Sequence, residues 1–244
     1  MATTICAHRG MDDVAPENTL AAFRMAFEAG MGVELDVKAS RDGQLVVVHD
    51  DTVDRTTNGT GRVAQMTLDE LKSLDAGAWK GHEFAGERIP TFDEVLDLAR
   101  ECATANPALL LDVKELPPGI VSTICGALAK RDLLGRTVGI GVIIQVIDVR
   151  RRFYEGSKDF QCAAVCQSPE SLSAVAAEPY SKWVYARFVP ERSHIETVHA
   201  AGKKILVSGD AVSFHVDDAH RAYKAGPDAL LTWHPTELSK LVAG

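Results

Sequence analysis

The sequence contains little cysteine, and the cysteines it has are scattered. There are five, an odd number, and only Cys162 and Cys166 lie close together, within the apolar run QCAAVCQ. This distribution argues against a disulfide framework and favours a reducing compartment. Because free cysteines are most often buried in the core, we expect this pair to be buried thiols and not a metal site.

The chain also lacks an excess of basic residues and any long apolar segment. Its 26 Lys and Arg against 34 Asp and Glu give a formal net charge of −8. With no basic stripe to neutralise a row of phosphates, nucleic acid is not expected as a partner. No apolar run is long enough to span a bilayer, and MATTICAHRG has no signal-peptide pattern. We therefore expect a cytoplasmic protein with no stable membrane association.

The composition is that of one globular domain. With 244 residues, of which 46% are hydrophobic and 25% charged, the chain can bury a large core. The length suits a single barrel covering residues 1–244, and a second large domain is not expected. No pattern in the sequence indicates an oligomeric state.

Short polar clusters end three apolar runs within the first 50 residues. His8 and Arg9 follow the first run, Glu34 and Asp36 lie in the second, and His49 ends the third. Side chains two apart on a strand share a face, so Glu34 and Asp36 point the same way. Two carboxylates on one face suit Mg²⁺ or Ca²⁺, whereas zinc prefers His or Cys. Taken alone, the pair is more often the polar face of a half-exposed strand.

A further cluster makes a shared site the better interpretation. Asp112 and Lys114 lie two residues apart and follow the apolar run of residues 109–111, so a buried strand ends in a carboxylate and a cation. Such charges rarely follow a core run unless they are paired or bind a ligand. We therefore predict that these strand ends meet at one mouth.

Several spaced motifs occur in a fixed order along the first half of the chain. They are His8-Arg9-Gly10, Pro16-Glu17-Asn18-Thr19, Glu34-Leu35-Asp36-Val37, Val48-His49-Asp50 and Arg55-Thr56-Thr57-Asn58-Gly59-Thr60-Gly61. Together they resemble the glycerophosphodiester phosphodiesterase family, densely to about residue 115 and thinly afterwards. The resemblance implies a (β/α)8 TIM barrel of the PI-PLC-like phosphodiesterase type. It also implies hydrolysis of phosphodiesters with one divalent cation.

On this resemblance, the acidic and basic residues divide into two roles. Glu34, Asp36 and Asp112 would bind the cation, Mg²⁺ or Ca²⁺, which would polarise phosphorus through a nonbridging oxygen. Arg9 and Lys114 would bind the substrate phosphate and offset the charge that grows on its oxygens. The products would be sn-glycerol 3-phosphate and an alcohol.

The two histidines would supply acid and base. The unperturbed histidine pKa lies near neutrality, so His8 and His49 can each fill either role, and the sequence does not assign them. Glu17 could brace Arg9 or a site histidine, or simply belong to a helix start, and Asp50 could orient His49 or end the hairpin. Direct attack by water and a route through a cyclic phosphate are both open.

The second half of the chain departs from the family pattern. Asp112 stands where Glu is usual, residues 144–146 replace a Ser-Phe pair, residues 207–210 replace Trp-Thr-x-Asn, and Trp233 replaces an Asp. Trp233 could line the pocket in place of the missing tryptophan. These changes keep alternatives open: a sugar phosphodiester or lysophospholipid substrate, a lyase that stops at a cyclic phosphate, or a binding protein without turnover.

The apolar runs predict eight barrel strands separated by helices. We place the strands at residues 3–8, 32–36, 108–113, 138–146, 161–166, 182–187, 204–208 and 228–232. Residues 37–49 are too short for a crossover helix and predict an antiparallel hairpin around Asp42-Gly43. Residues 50–95 break the alternation and predict an insertion subdomain over the barrel mouth, where it would shape specificity. Capping boxes are predicted at Thr91/Glu94 and Ser193/Glu196, and a helix start is predicted at Thr67/Glu70.

Overall fold

The computed structural model describes residues 2–213 and 215–243, which contain a closed barrel of eight parallel strands. The barrel strands are β1 (Thr4–Ala7), β2 (Gly32–Ala39), β4 (Leu109–Val113), β5 (Thr137–Ile140), β6 (Gln161–Cys166), β7 (Trp183–Ala186), β8 (Lys204–Val207) and β9 (Ala229–Thr232). Strand β1 pairs with both β2 and β9 and so closes the ring. Helices surround it. The predicted (β/α)8 TIM barrel is confirmed.

The predicted hairpin is also confirmed. Strand β2 continues to Ala39 and pairs antiparallel with the short strand β3, Leu45–Val47. The turn between them is closed by a hydrogen bond from the backbone N–H of Gly43 to the carbonyl of Ser40 at 2.9 Å. Gly43 has φ +77°, a left-handed conformation that glycine adopts without strain. The hairpin brings His49 back beside the end of β2.

The strand predicted at residues 138–146 is too long. Strand β5 ends at Ile140, and a 3₁₀ turn covers Ile143–Gln145. The chain leaves the sheet at Gly141, whose φ of +92° lies outside the strand region. An apolar run cannot by itself show where a strand stops and a buried turn begins, which is why the periodicity extended this strand too far.

Ten helices lie in the described part of the chain. They are α1 (Leu20–Glu28), α2 (Leu68–Ser73), α3 (Phe92–Cys102), α4 (Ile120–Ala129), α5 (Ile147–Gly156), α6 (Leu172–Ala176), α7 (Arg192–Ala200), α8 (Asp210–Ser213), α9 (Val216–Ala225) and α10 (Pro235–Ala243). The box at Thr91/Glu94 forms as predicted, and the helix predicted to start at Thr67/Glu70 also begins with a capping box. The box predicted at Ser193/Glu196 is wrong, because α7 begins two residues earlier and Glu191 caps it together with His194.

The segment between β3 and α3 has an apolar core of its own. It contains 3₁₀ turns at Val63–Gln65 and His82–Phe84 besides α2. The buried side chains of this small core are Val46, Val48, Val53, Val63, Leu71, Ala76 and Ile89. Phe92 begins α3, which packs against α1 in the outer layer. The segment therefore folds against the hairpin, and its stability does not depend on the barrel core alone.

The main core fills the space between the strands and the surrounding helices, and a smaller cluster fills the barrel interior. All five cysteines are free, and Cys162 and Cys166 are buried, which confirms the expectation of buried thiols. Among the residues described, none of the helices has both the length and the apolar character needed to cross a membrane.

Candidate active site

Seven of the side chains singled out from the sequence line one cavity at the carboxyl ends of the strands. The cavity has a volume of about 210 Å³. The seven are His8, Arg9, Glu34, Asp36, His49, Asp112 and Lys114, and Trp233 lines the same cavity. Glu17 and Asp50 do not line it but contact residues that do. The seven lie within or just after β1, β2, β3 and β4, which are neighbours in the sheet, and closure of the barrel adds Trp233 from the end of β9.

Three carboxylates form the acidic centre of this cavity. Glu34, Asp36 and Asp112 can each offer one oxygen, and these oxygens all lie within 4.8 Å of one another. Asp36 and Asp112 are register partners on the neighbouring strands β2 and β4, so their side chains share a face. Lys114 Nζ lies 2.9 Å from Asp36 Oδ1 and 2.5 Å from Asp112 Oδ2. One ammonium thus bridges two of the three acids.

The charges in this centre do not balance, and the pKa shifts reflect the imbalance. Burial raises the pKa of Glu34 well above its ordinary value, and the charges of Asp36 and Asp112 raise it further. Burial also raises the pKa of Asp112. Burial acts in the same direction on Asp36, but the charges of Lys114 and Arg9 outweigh it and lower the pKa of that group.

The donor set fits a hard divalent cation. It consists of carboxylate oxygens alone, which Mg²⁺ and Ca²⁺ prefer, and a cation there would stabilise the ionised form of Glu34. Members of the phosphodiesterase family that these motifs resemble are in general dependent on divalent metals, and the acidic cluster matches that requirement. The chemistry of the ligands does not distinguish Mg²⁺ from Ca²⁺.

Arg9 and the turn after β1 hold this centre from one side. The backbone N–H of Arg9 donates to Glu34 Oε2 at 3.0 Å, and Asn18 Nδ2 donates to Asp36 Oδ2 at 2.8 Å. Arg9 Nε is buried 3.4 Å from Asp36 Oδ2 and has no hydrogen-bond partner among the described residues. A buried donor without a hydrogen-bond partner is rare in folded proteins, and this one lies at the edge of the acidic centre.

The turn itself demands glycine at position 10. Gly10 has φ +83°, and a Cβ there would lie 2.8 Å from backbone and side-chain atoms of Ala22 in α1. Arg9 precedes it with φ +49°, which is uncommon for a residue other than glycine. The His8-Arg9-Gly10 motif therefore forms a tight turn that lets α1 approach and aims Arg9 at the carboxylates.

Each of the two pocket histidines is backed by a carboxylate. His8 Nδ1 lies 2.7 Å from Asp12 Oδ2, and His49 Nδ1 lies 2.7 Å from Asp50 Oδ1. In both cases the carboxylate contacts Nδ1, which leaves Nε2 for other partners. Trp233 Nε1 donates to Nε2 of His8 at 3.1 Å. Such carboxylate partners fix ring orientation and tautomer.

A chain of ion pairs connects His49 to the acidic centre. Arg55 Nε donates to Asp50 Oδ2 at 2.7 Å, and Arg55 also makes two hydrogen bonds to Glu17 at 2.6 and 2.8 Å. Glu17 Oε1 in turn accepts from Arg9 Nη1 at 2.7 Å. The hydrogen bonds from Arg55 lower the pKa of Asp50, which keeps that carboxyl ionised beside the histidine.

Sequence reasoning missed three of these contacts. Asp12 was not singled out, although it lies four residues after His8 in the same turn. Arg55 was seen only as part of a motif. Asn18 belongs to the motif before α1, but Thr19 is the residue that caps this helix, and Asn18, at φ +56°, turns its amide to Asp36. The position of Asp12, four residues after His8, could have indicated its contact with that histidine. No residues near Arg55 or Asn18 in the sequence indicate the contacts that those two side chains make.

The remaining wall of the cavity comes from the second half of the barrel. It consists of Ile140, Gly141, Tyr185, Arg187, Gly209 and Leu231. Burial raises the pKa of Tyr185, so its phenol stays neutral near the carboxylates. Gly141 packs directly on Asp112: a Cβ at this position would lie 1.9 Å from Oδ1 of that residue. This half is where the motifs depart from the family pattern.

Comparison with known proteins identifies the family. The profile of the glycerophosphoryl diester phosphodiesterase family matches residues 8–237. A glycerophosphodiester phosphodiesterase of Caldanaerobacter subterraneus subsp. tengcongensis is 37% identical over an alignment of 253 positions, gaps included, and the alignment covers 99% of this chain and 98% of that protein. The human glycerophosphodiester phosphodiesterase 1 is 45% identical over 111 residues, which cover 44% of this chain and 33% of that protein.

Two solved structures share the whole fold. The glycerophosphodiester phosphodiesterase of Agrobacterium tumefaciens str. C58 matches with a TM-score of 0.81 at 27% identity, over 98% of this chain and 99% of that chain. An Oleispira antarctica phosphodiesterase, solved in complex with the product sn-glycerol-3-phosphate, matches with a TM-score of 0.74 at 25% identity, over 100% of this chain and 98% of that chain. This chain therefore belongs to the glycerophosphoryl diester phosphodiesterase family and is a phosphoric diester hydrolase of that type.

Proposed function

We propose that this protein hydrolyses glycerophosphodiesters to sn-glycerol 3-phosphate and an alcohol with a divalent cation and a pair of histidines. The observation that carries the proposal is the convergence, in one cavity, of two carboxylate-backed histidines and three carboxylates within 4.8 Å. The Oleispira antarctica phosphodiesterase, which binds sn-glycerol-3-phosphate, supports the choice of product.

In this proposal Glu34, Asp36 and Asp112 hold one Mg²⁺ or Ca²⁺. The bound ion would polarise phosphorus and offset negative charge on a nonbridging oxygen. Arg9 and Lys114 bind the phosphate and stabilise the charge that develops on its oxygens during attack. Lys114 can do so only by releasing part of its present pairing with the two aspartates, which the cation would take over.

His8 and His49 move the protons. One removes a proton from the attacking nucleophile, which is water or a neighbouring hydroxyl of the substrate, and the other donates a proton to the oxygen of the departing alcohol. Asp12 and Asp50 hold Nδ1 of these rings, so Nε2 is the atom that exchanges the proton in each case. Arg55, which lies in the predicted insertion of residues 50–95, would hold Asp50 and Glu17 in place and so connect that insertion to the catalytic pair.

The test is turnover of glycerophosphocholine by the metal-stripped protein after Mg²⁺ or Ca²⁺ is added back. We expect metal-dependent release of sn-glycerol 3-phosphate, and a fall in kcat of about 10²–10⁴-fold in His8→Ala and in His49→Ala. His199→Ala is the matched control, because His199 pairs with Asp228 on an exposed surface. Metal-independent turnover, or full activity of either alanine variant, would contradict the proposal. Accumulation of a cyclic phosphate would assign a lyase instead.

A further inference from the structure

Lys80 connects the segment between β3 and α3 to the turn that follows β1. Its Nζ atom donates to the backbone carbonyl of Asp12 at 2.6 Å, across 68 positions of the sequence, and the contact is half-buried. Hydrogen bonds from a charged donor are stronger than those between neutral groups. Asp12 is the residue whose carboxylate lies 2.7 Å from Nδ1 of His8. One cation of this segment thus contacts the residue that backs a pocket histidine.

The loop that carries Lys80 is held together by one carboxylate. Asp75 accepts hydrogen bonds from the backbone N–H groups of Ala78 at 2.8 Å, Gly77 at 2.9 Å and Gly86 at 2.7 Å. These bonds lower the pKa of Asp75, so the carboxylate stays ionised and the bonds stay strong. The backbone N–H of Lys80 itself donates to the carbonyl of Gly77 at 2.9 Å. The lysine side chain therefore extends from an ordered loop.

The turn that contains Asp12 is held from two sides. Within the turn, the N–H of Asp12 donates to the carbonyl of Gly10 at 2.9 Å. On one side, Asp13 Oδ2 accepts from the backbone N–H of Thr236 in α10 at 3.0 Å. On the other side, Lys80 holds the carbonyl of Asp12. Because this carbonyl and the carboxylate side chain are attached to the same Cα atom, a rotation of the peptide would move the carboxylate as well.

The same segment also holds the carboxylate behind the second histidine. Arg55 Nε donates to Asp50 Oδ2 at 2.7 Å, and Asp50 Oδ1 lies 2.7 Å from Nδ1 of His49. The part of the segment with Arg55 and the part with the lysine are joined by two hydrogen bonds. The N–H of Asp75 donates to Asn58 Oδ1 at 2.8 Å, and the N–H of Asn58 donates to the carbonyl of Asp75 at 3.1 Å. One folded unit thus reaches both histidines, each through an aspartate.

We propose that Lys80 is a positioning residue for the reaction, which holds Asp12 so that its carboxylate keeps His8 in the orientation and tautomer needed for proton transfer. Lys80 is not one of the residues that line the cavity, so it acts through Asp12 and does not contact the substrate. Small displacements of a catalytic group have large effects on rate, which gives one distant hydrogen bond its influence. This inference rests on the proposed function, in which His8 moves a proton.

The first experiment measures steady-state turnover of glycerophosphocholine, with Mg²⁺ present, by Lys80→Met and Lys80→Arg. In Lys80→Met we expect kcat to fall about three- to tenfold with KM unchanged, less than for a direct partner of the histidine. Lys80→Arg keeps a charged donor and should recover most of this loss. Lys72→Met is the matched control, because Lys72 is a half-buried lysine of the same segment that pairs with Glu94 of α3 instead. It should behave as the parent protein.

A second measurement combines Lys80→Met with Asp12→Asn. Asp12→Asn weakens the contact with Nδ1 of His8 and should lower kcat about 10- to 100-fold. If Lys80 acts through the Asp12 carboxylate, the double variant should be no slower than Asp12→Asn alone, because the lysine then has no carboxylate left to position. Losses that multiply in the double variant would overturn the proposal, since they would show that Lys80 acts by another route.

The outcomes separate this inference from the proposed function. If His8→Ala loses activity and Lys80→Met keeps the parent kcat, the inference fails and the proposed function stands. An equal loss of kcat in Lys72→Met and Lys80→Met also overturns the inference. If the parent protein does not turn over glycerophosphocholine, the proposed function fails, and ¹⁵N NMR of the His8 ring tests Lys80 directly. The signals of Nδ1 and Nε2 should then shift in Lys80→Met and not in Lys72→Met, and unchanged signals in Lys80→Met overturn the inference.

Discussion

The indole N–H of Trp233 donates a hydrogen bond to Nε2 of His8 at 3.1 Å. An indole N–H can only donate, so Nε2 is the acceptor and the ring proton lies on Nδ1, 2.7 Å from Asp12. The two rings also pack together, with centroids 4.8 Å apart and planes at 54°. The nitrogen that would exchange a proton with substrate is therefore covered by Trp233 and must be released when substrate binds.

This relationship predicts a role for Trp233 as a wall of the pocket. Replacing it by Ala removes an aromatic contact of about 1 kcal/mol, so KM for glycerophosphocholine should rise roughly fivefold with little change in kcat. Trp233→Phe keeps a ring in place and should show a smaller rise. Trp79→Ala, which changes an exposed ring, is the control. Unchanged steady-state kinetics on every substrate would contradict a role for Trp233 in binding the substrate.

Asp50 is predicted to position His49. In Asp50→Asn the acceptor for Nδ1 and for Arg55 is weakened, and kcat should fall about 10- to 100-fold with KM largely unchanged. Asp51→Asn is the matched control, because the neighbouring Asp51 is exposed and pairs with Lys38 instead. Steady-state kinetics at several pH values measure the effect. Equal losses in the two variants would mean that the change is structural and not specific to the histidine.

In the metal-free protein, the positive charge of Lys114 is predicted to take the place of the cation's charge beside Asp36 and Asp112. Lys114→Met leaves Asp36 and Asp112 without their shared cation, and breaking a buried pair of this kind costs about 3–5 kcal/mol. We expect a lower Tm in chelator and a larger rise in Tm on adding Mg²⁺ than in the parent protein. Lys240→Met, on the exposed face of α10, should change neither value. A metal response no larger than that of the parent would refute the prediction.

Glu17 should make stability depend on pH in the acidic range. Burial favours its neutral form, but hydrogen bonds from Arg55 and the charge of Arg9 outweigh burial and lower the pKa of Glu17. Because the folded pKa lies below the unfolded value of about 4.3, the stabilisation is complete above that value and is lost as pH falls through the folded pKa. The ionised carboxylate is thus the stabilising form.

Thermal unfolding of Glu17→Gln across pH 2–7 checks this sign. The variant should have a lower Tm than the parent near neutrality, and the difference should shrink as the pH drops below about 4. Glu28→Gln, at an exposed position of α1, should show no such convergence. A difference in Tm that stays constant over this range would contradict the assignment.

Gly141 is predicted to be required for the position of Asp112. A Cβ at residue 141 would lie 1.9 Å from Asp112 Oδ1, and φ +92° disfavours any other residue. Gly141→Ala should cost about 1–3 kcal/mol of stability and weaken Mg²⁺ binding about tenfold or more, measured by chemical denaturation and calorimetry. Gly135→Ala meets no atom within 4 Å and is the control. Undiminished metal affinity in Gly141→Ala would show that the carboxylate can move without consequence.

Local patterns in the sequence were sufficient to predict much of the architecture. Apolar runs located the eight barrel strands, the Asp42-Gly43 turn located the hairpin, and the spacing of Thr67 and Glu70 located a capped helix. These features depend on residues within a few positions of one another, so they can be inferred from the chain alone. The end of β5 at Ile140 could not, because the apolar run continues through a buried turn.

Membership of the family and the residues of the acidic centre were also indicated by the sequence. Period-two spacing placed Glu34 with Asp36 and Asp112 with Lys114, since alternation along a strand is a local property. The links between elements were not indicated: the pairing of Arg55 with Glu17 and of Trp233 with His8 joins residues 38 and 225 positions apart. The contact of Trp233 with His8 exists because the barrel closes and brings β9 beside β1. The contact of Arg55 with Glu17 exists because β2 pairs with both β1 and β3, which brings the segments that follow those two strands together. The sequence carries no local signal for either distance.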